Sequence, residues 1–185
     1  MMSSRDRILS RIREAIDPID SAPPPVRIAP HIEFDRLQRF TATLTALGGS
    51  VIEASGAQDA EQKLQDMLAG KTFISSKDPF SREDCAAAEI GVTSAAYALA
   101  DTGSLVFLSE SGEARLISLL PPRHIAVIER DKILSSLDEL LSRVPQPGVL
   151  SSAMVLITGP SRTADIEMRL VRGVHGPGEI TVIVF

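Results

Sequence analysis

Apolar residues recur along this chain at two alternating spacings, and the alternation predicts its architecture. From Ser3 to Ile16 the residues Ile8, Leu9, Ile12 and Ile16 form one stripe at helical spacing, with Ser3 and Asp6 as a short capping box. Asp17 to Val26 is broken by Pro18 and Pro23-Pro24-Pro25, so it reads as an extended tether rather than a helix. Phe34, Leu37, Phe40, Leu44 and Leu47 mark the next helix, closed by Gly48-Gly49. A short strand follows over Ser50–Ala54. Ala60, Leu64, Met67 and Leu68 mark a helix ended by Gly70, and Thr72–Ser75 a strand. Further strands are expected over Ser104–Ser109, His124–Glu129, Met154–Thr158 and Ile180–Phe185. Helices are expected around Leu134, Leu137, Leu140 and Leu141, and from about Thr163 through Ile166 and Leu170. Short apolar strands separated by amphipathic helices indicate βαβ units, hence an α/β fold with an open, mainly parallel sheet flanked by helices.

The N-terminal stripe raises a separate question. A helix of about fourteen residues on a proline tether is marginal alone, so its stripe must dock on its own domain or on another chain. The expected division is residues 1–31 as helix and tether, and 32–185 as the domain.

Composition narrows the function classes. The chain has 185 residues, 44% hydrophobic and 23% charged, as an ordinary globular domain does. A net charge of −5, six Phe, one Tyr and no Trp argue against nucleic acid as a partner, which calls for basic patches and stacking rings. No apolar run approaches the roughly 18 residues of a membrane span, and no apolar segment follows Met1-Met-Ser-Ser-Arg-Asp-Arg7 as in a secretory signal. A cytoplasmic protein is the simplest reading. The single cysteine, Cys85, excludes an internal disulfide and any iron–sulfur motif within this chain. The three histidines, His31, His124 and His175, lack zinc-site spacing, so no metal and no cofactor is expected.

Three polar clusters fall at strand ends or connecting turns, where open α/β sheets hold ligands beyond the carboxyl ends of their strands. Asp101-Thr102-Gly103-Ser104 offers a carboxylate, two hydroxyls and a glycine that permits close backbone approach or positive φ; the plain alternative is a turn. Arg123-His124 opens a predicted strand. The third cluster, Gly159-Pro-Ser161-Arg162-Thr163-Ala-Asp165, joins a strand to the predicted helix. Free N–H groups at a helix start favour an anion, and an arginine there is unfavourable by roughly 0.3–1 kcal/mol unless something negative offsets it. Asp165 or Glu167 could supply that charge as a cap; a bound anion or partner is the other reading. Gly91-Val-Thr-Ser-Ala-Ala-Tyr97 reads as a strand-to-helix transition with Thr93 or Ser94 as N-cap. His175 lies in the glycine-rich loop Gly173–Gly178 and, with Asp101, is a candidate for proton transfer. The ligand-binding candidates are Thr102, Gly103, Gly159, Ser161, Arg162, Thr163 and Asp165.

Taken together, Gly91-Val-Thr-Ser-Ala, Ala100-Asp-Thr-Gly-Ser, Ser118-Leu-Leu-Pro-Pro-Arg-His-Ile-Ala-Val127, Ile157-Thr-Gly-Pro-Ser-Arg-Thr-Ala-Asp-Ile-Glu167 and Gly173-Val-His-Gly-Pro resemble the LUD domain, and within it the lactate-utilisation protein C (LutC/YkgG) group. The resemblance covers about residues 33–185. It implies a fold like that of the NagB/RpiA/CoA-transferase superfamily. It also implies a role in L-lactate oxidation to pyruvate beside two iron–sulfur partner proteins, as the clusterless component. Family members often carry Glu before Thr-Gly, where this chain has Asp101. The alternative is a stand-alone enzyme or binder of a carboxylate, phosphate or acyl-CoA-type ligand held by Arg162.

Overall fold

The computed structural model describes residues 3–15, 34–75, 80–108, 115–143, 153–164 and 170–185. In chain order its elements are α1 (Ser4–Ala15), α2 (Arg36–Ala46), β1 (Ser50–Glu53), α3 (Ala57–Leu68), β2 (Phe73–Ser75), α4 (Arg82–Ala87), β3 (Ile90–Ser94), β4 (Tyr97–Leu99) and β5 (Ser104–Leu108). There follow β6 (Arg123–Ile128), a 3-10 turn (Arg130–Lys132), β7 (Ile133–Leu134), α5 (Leu137–Arg143), β8 (Met154–Ile157), β9 (Arg162–Ala164), β10 (Leu170–Arg172) and β11 (Glu179–Val184).

The main sheet has the order β1-β11-β6-β3-β2, and every pairing in it is parallel. A second, mixed sheet has the order β7-β4-β5-β8, and β9 pairs antiparallel with β10. The two larger sheets enclose the principal core. Ala126, Ile128, Ile180 and Val182 from the parallel sheet meet Leu105 and Phe107 from the mixed sheet, with Leu37, Phe40 and Leu44 of α2 packed among them. Each large side chain so buried contributes on the order of 1.5–3 kcal/mol. The other face of the parallel sheet is covered by Ala60, Leu64 and Leu68 of α3, against Ile90, Ile125 and Ile183. The runs in β6 and β11 are near-continuously apolar because both faces are covered.

The helices begin where the side chains can cap them. Asp35 accepts from the N–H groups of Leu37 and Gln38, both at 3.0 Å, so α2 starts after Phe34. Ser81 and Asp84 form a full capping box on α4. Ser3 and Asp6 do the same for α1. Among the described residues of α1 none is fully buried and Leu9 is half-buried; Ile16, the last residue of the expected stripe, falls outside the described residues.

Three expected elements differ. The helix predicted from Thr163 through Leu170 is absent at both described ends. Arg162–Ala164 and Leu170–Arg172 are extended and pair, with Thr163 opposite Val171. Two apolar residues four apart were its only helical signal, and β-branched residues at facing positions favour the ladder. Gly91–Tyr97 is likewise not a strand-to-helix transition. Ile90–Ser94 is a buried parallel strand, and a two-residue bend leads into β4. Thr93 therefore spends its hydroxyl on the core rather than on a helix cap. Leu134 belongs to the short strand β7, and α5 begins only at Leu137.

Candidate functional site

Two of the predicted clusters are built against one helix. Gly103 has φ +67°, and a Cβ there would stand 2.8 Å from the backbone nitrogen of Leu44. Gly159 has φ +79°, and a Cβ there would stand 2.9 Å from Cβ of Leu47. Both turns thus need glycine for conformation and for close approach to the last turn of α2. Hydroxyls join them. Ser104 Oγ donates to Thr102 Oγ1 at 2.8 Å, which leaves the Thr158 hydroxyl as donor in the 2.7 Å bond to Ser104. Thr102 and Asp101 are exposed, and the Asp101 N–H donates to the carbonyl of Ser135.

The Gly159 turn leads to a second junction. Ser161 N–H donates to the carbonyl of Pro177 at 2.9 Å, and Gly173 N–H donates to the carbonyl of Ser161 at 3.1 Å. The His175 N–H donates to Ser161 Oγ at 3.3 Å. Ser161 therefore clasps the glycine loop that carries His175. That loop is tied on its far side by Gly178 N–H donating to the carbonyl of Pro122, next to Arg123. Arg162 is exposed at the start of β9, opposite Arg172 in the register. Thr163 lies within β9, and Asp165 falls outside the described residues. Because β9 replaces the predicted helix, the helix-dipole argument for an anion at Arg162 fails. Among the described residues, neither the carboxylate of Asp101 nor the imidazole of His175 makes a side-chain hydrogen bond or ion pair.

The sheet ends are also placed differently from expectation. Arg123-His124 stands at the amino end of β6, level with Ile90 and Glu179, not beyond a carboxyl end. A cleft of about 730 Å³ opens there, lined by Lys71, Glu89, Pro122, Arg123, Gly173, Gly178 and Glu179. Arg123 pairs with Glu179 at 2.7 Å and Lys71 with Glu89 at 3.6 Å, all partly exposed and worth about 0–1 kcal/mol each. The Thr72 backbone N–H, opposing burial, holds the Glu89 carboxyl below its ordinary range. A smaller cleft of about 350 Å³ lies at the carboxyl ends, between Glu53 and Arg130 and the first half of α2, including Asp35, Gln38 and Thr41.

Beneath the amino-end cleft lies a pair that sequence reading left unconnected. His124 is 1% exposed and shares a 2.7 Å hydrogen bond between its Nε2 and Thr93 Oγ1. Its ring lies 5.8 Å from that of Phe107, and Nδ1 has no hydrogen-bond partner. Burial lowers its pKa to about 4, so the ring is neutral at pH 7. The two residues stand 31 apart in sequence, and only the parallel register of β3 on β6 reveals them as neighbours. Lys71, Glu89 and Glu179 carried no motif signal; they share a cleft with Arg123 because neighbouring strands begin at one level.

Residues 74–185 match the LUD domain. The chain is 44% identical over 94 residues to lactate utilization protein C of Halalkalibacterium halodurans, a match covering 49% of this chain and 41% of that protein. It is 38% identical over 101 residues to the protein of that name from Geobacillus sp. (strain WCH70), covering 52% and 42% respectively. The chain thus spans less than half the length of these two relatives. With the Anoxybacillus flavithermus protein of the same name it shares 34% identity over 159 residues, covering 81% of this chain and 68% of the relative. The crystal structure of a DUF162 family protein from Deinococcus radiodurans superposes with a TM-score of 0.57 at 18% identity, covering 80% of this chain and 95% of that one, and so shares the fold. The chain belongs to the LUD-domain family, in its lactate utilization protein C group.

Proposed function

We propose that this chain serves lactate utilisation in the cytoplasm as the component without an iron–sulfur cluster, beside partner proteins that carry the clusters and oxidise L-lactate to pyruvate. The supporting observation is its sole cysteine. Cys85 is fully buried in the contact between α4 and Ile117, and burial, with Asp84 beside it, pushes its thiol pKa up. Clusters need several accessible thiolates, so any cluster must sit on another chain. Deleting the gene should abolish growth on lactate while leaving growth on pyruvate unchanged, and a plasmid copy should restore it. Undiminished growth on lactate would end this reading.

A second reading, a binder of small carboxylates or phosphates, is favoured by the amino-end cleft, where Arg123 and Lys71 face a glycine-walled loop. Charge-assisted bonds from such side chains contribute on the order of 1.5–3 kcal/mol each. A ligand at a hundred times its dissociation constant should stabilise the fold by about 2.7 kcal/mol. Melting curves with lactate, pyruvate, phosphate and coenzyme A test this, with Arg123→Ala and Arg162→Ala telling the two cationic positions apart. No shift with any compound refutes it.

A further inference from the structure

We propose that the foot of the β9–β10 hairpin and the glycine loop behind it form a seat for a phosphate group, centred on Ser161 and Arg162. The first observation is the register. Arg162 and Arg172 occupy directly opposite positions of the antiparallel ladder, which places two arginines on one face of it. Like charges at such positions repel, and a two-stranded ladder has little else to hold it. Arg162 is exposed and, among the described residues, has no ion pair or side-chain hydrogen bond. A dianion bound at this foot turns the repulsion into attraction from both strands.

The second observation is a set of uncommitted donors at the same place. Ser161 directly precedes Arg162 and Gly173 directly follows Arg172, and the Gly173 N–H donates to the carbonyl of Ser161 at 3.1 Å. Ser161 Oγ accepts from the His175 N–H, and its own hydrogen is left to donate. A Cβ at Gly176 would stand 3.9 Å from that Oγ, so the hydroxyl lies against the loop backbone. The N–H groups of Val174 and Gly176 make no hydrogen bond among the described residues. Gly173 has φ +79°, the left-handed turn by which successive N–H groups come to line an anion-binding concavity. No residue from Gly173 to Gly178 carries a carboxylate.

The count of donors and charges selects the ligand. A phosphate group carries close to two charges at pH 7 and three strong acceptor oxygens. It can take a guanidinium fork on two oxygens and the hydroxyl and loop amides on the third, whereas a monocarboxylate has one charge and two oxygens. This inference rests on the small-anion reading above. It moves the seat from Arg123, whose charge Glu179 already meets at 2.7 Å, to Arg162.

Isothermal titration of the full chain with inorganic phosphate, glycerol 3-phosphate and lactate, at constant ionic strength, provides the test. Both phosphates should bind, with lactate about tenfold weaker or more. Arg162→Gln should weaken phosphate binding by about ten- to hundredfold, Arg162→Lys by less, and Arg123→Gln by little. In nitrogen-15 spectra with inorganic phosphate, the amides of Val174 and Gly176 should shift most. An ester bound more tightly than the free ion would place a metabolite's phosphoryl group in the seat, and the reverse order the free ion. Binding lost in Arg123→Gln but kept in Arg162→Gln would overturn this seat and leave the small-anion reading standing. Lactate bound without phosphate would overturn the ligand class alone. Binding of none of the three would overturn both the seat and that reading.

Discussion

At the scale of single residues, His124 sets an acid limit on this protein. Its folded pKa of about 4 lies below the ordinary 6.5, so between those values the unfolded chain takes up a proton that the folded chain refuses. The stability it permits is complete above pH 6.5 and declines by about 3 kcal/mol as pH falls to 4. Urea melts at pH 7.5 and 4.5 should show this loss in the wild type and only a small one in His124→Gln; equal losses would place the acid sensitivity elsewhere. Carboxylates held low, such as Asp59 at about 2 through its bond from Lys63, lose their contribution only at still lower pH. In sequence Gly103 reads as permitting close backbone approach or positive φ; both occur, and the backbone that approaches is that of α2. Gly103→Ala should cost at least the 1–2 kcal/mol of a left-handed alanine, lowering the melting temperature by several degrees. An unchanged melting temperature would contradict the contact with Leu44.

Elements show where periodicity is a sufficient guide and where it fails. α2 and α3 were legible because three or more apolar residues repeat on one face over two or three turns, and burial follows that stripe: Leu37, Phe40 and Leu44 in one, Ala60, Leu64 and Leu68 in the other. β9 and β10 were not legible, since three-residue strands have too few positions to show a period of two. The ladder partner that makes them strands is remote in the local pattern. α2 also acts as the fixed rail for both glycine turns. Leu44, with 0% exposure and contacts to Gly49 and Gly103, is its anchor. Leu44→Ala should cost 2–5 kcal/mol in denaturant melts. The clasp at Ser161 makes a local prediction instead. Ser161→Ala removes the acceptor for the His175 N–H alone, so hydrogen exchange at that amide should quicken by the equivalent of about 1 kcal/mol, with global stability little changed. Uniformly faster exchange along the loop would mean that the backbone bonds to Pro177 and Gly173, not the hydroxyl, depend on this side chain.

For the whole molecule, alternation of strands and helices was enough to give the open parallel sheet, and motif order was enough to give the family. Which end of the sheet gathers the charges was not readable, because strand order and direction are properties of long-range pairing. The order itself has a physical consequence. β11 lies between β1 and β6, paired along its whole length to β6 and over Thr181–Val184 to β1, although Ser50 and Thr181 are 131 residues apart. Removing residues 179–185 should therefore leave no cooperative melting transition and a spectrum without sheet, whereas a retained transition would show that the flanking layers fold without it. During synthesis the strand that closes the sheet is the last of its five to be made. Until it arrives, β1 and β6 expose the hydrogen-bonding edges that β11 will fill, and such edges recruit other chains. The nascent protein is thus most prone to aggregate in the interval before residues 179–184 are free to insert, and chaperone demand should track the length of that interval.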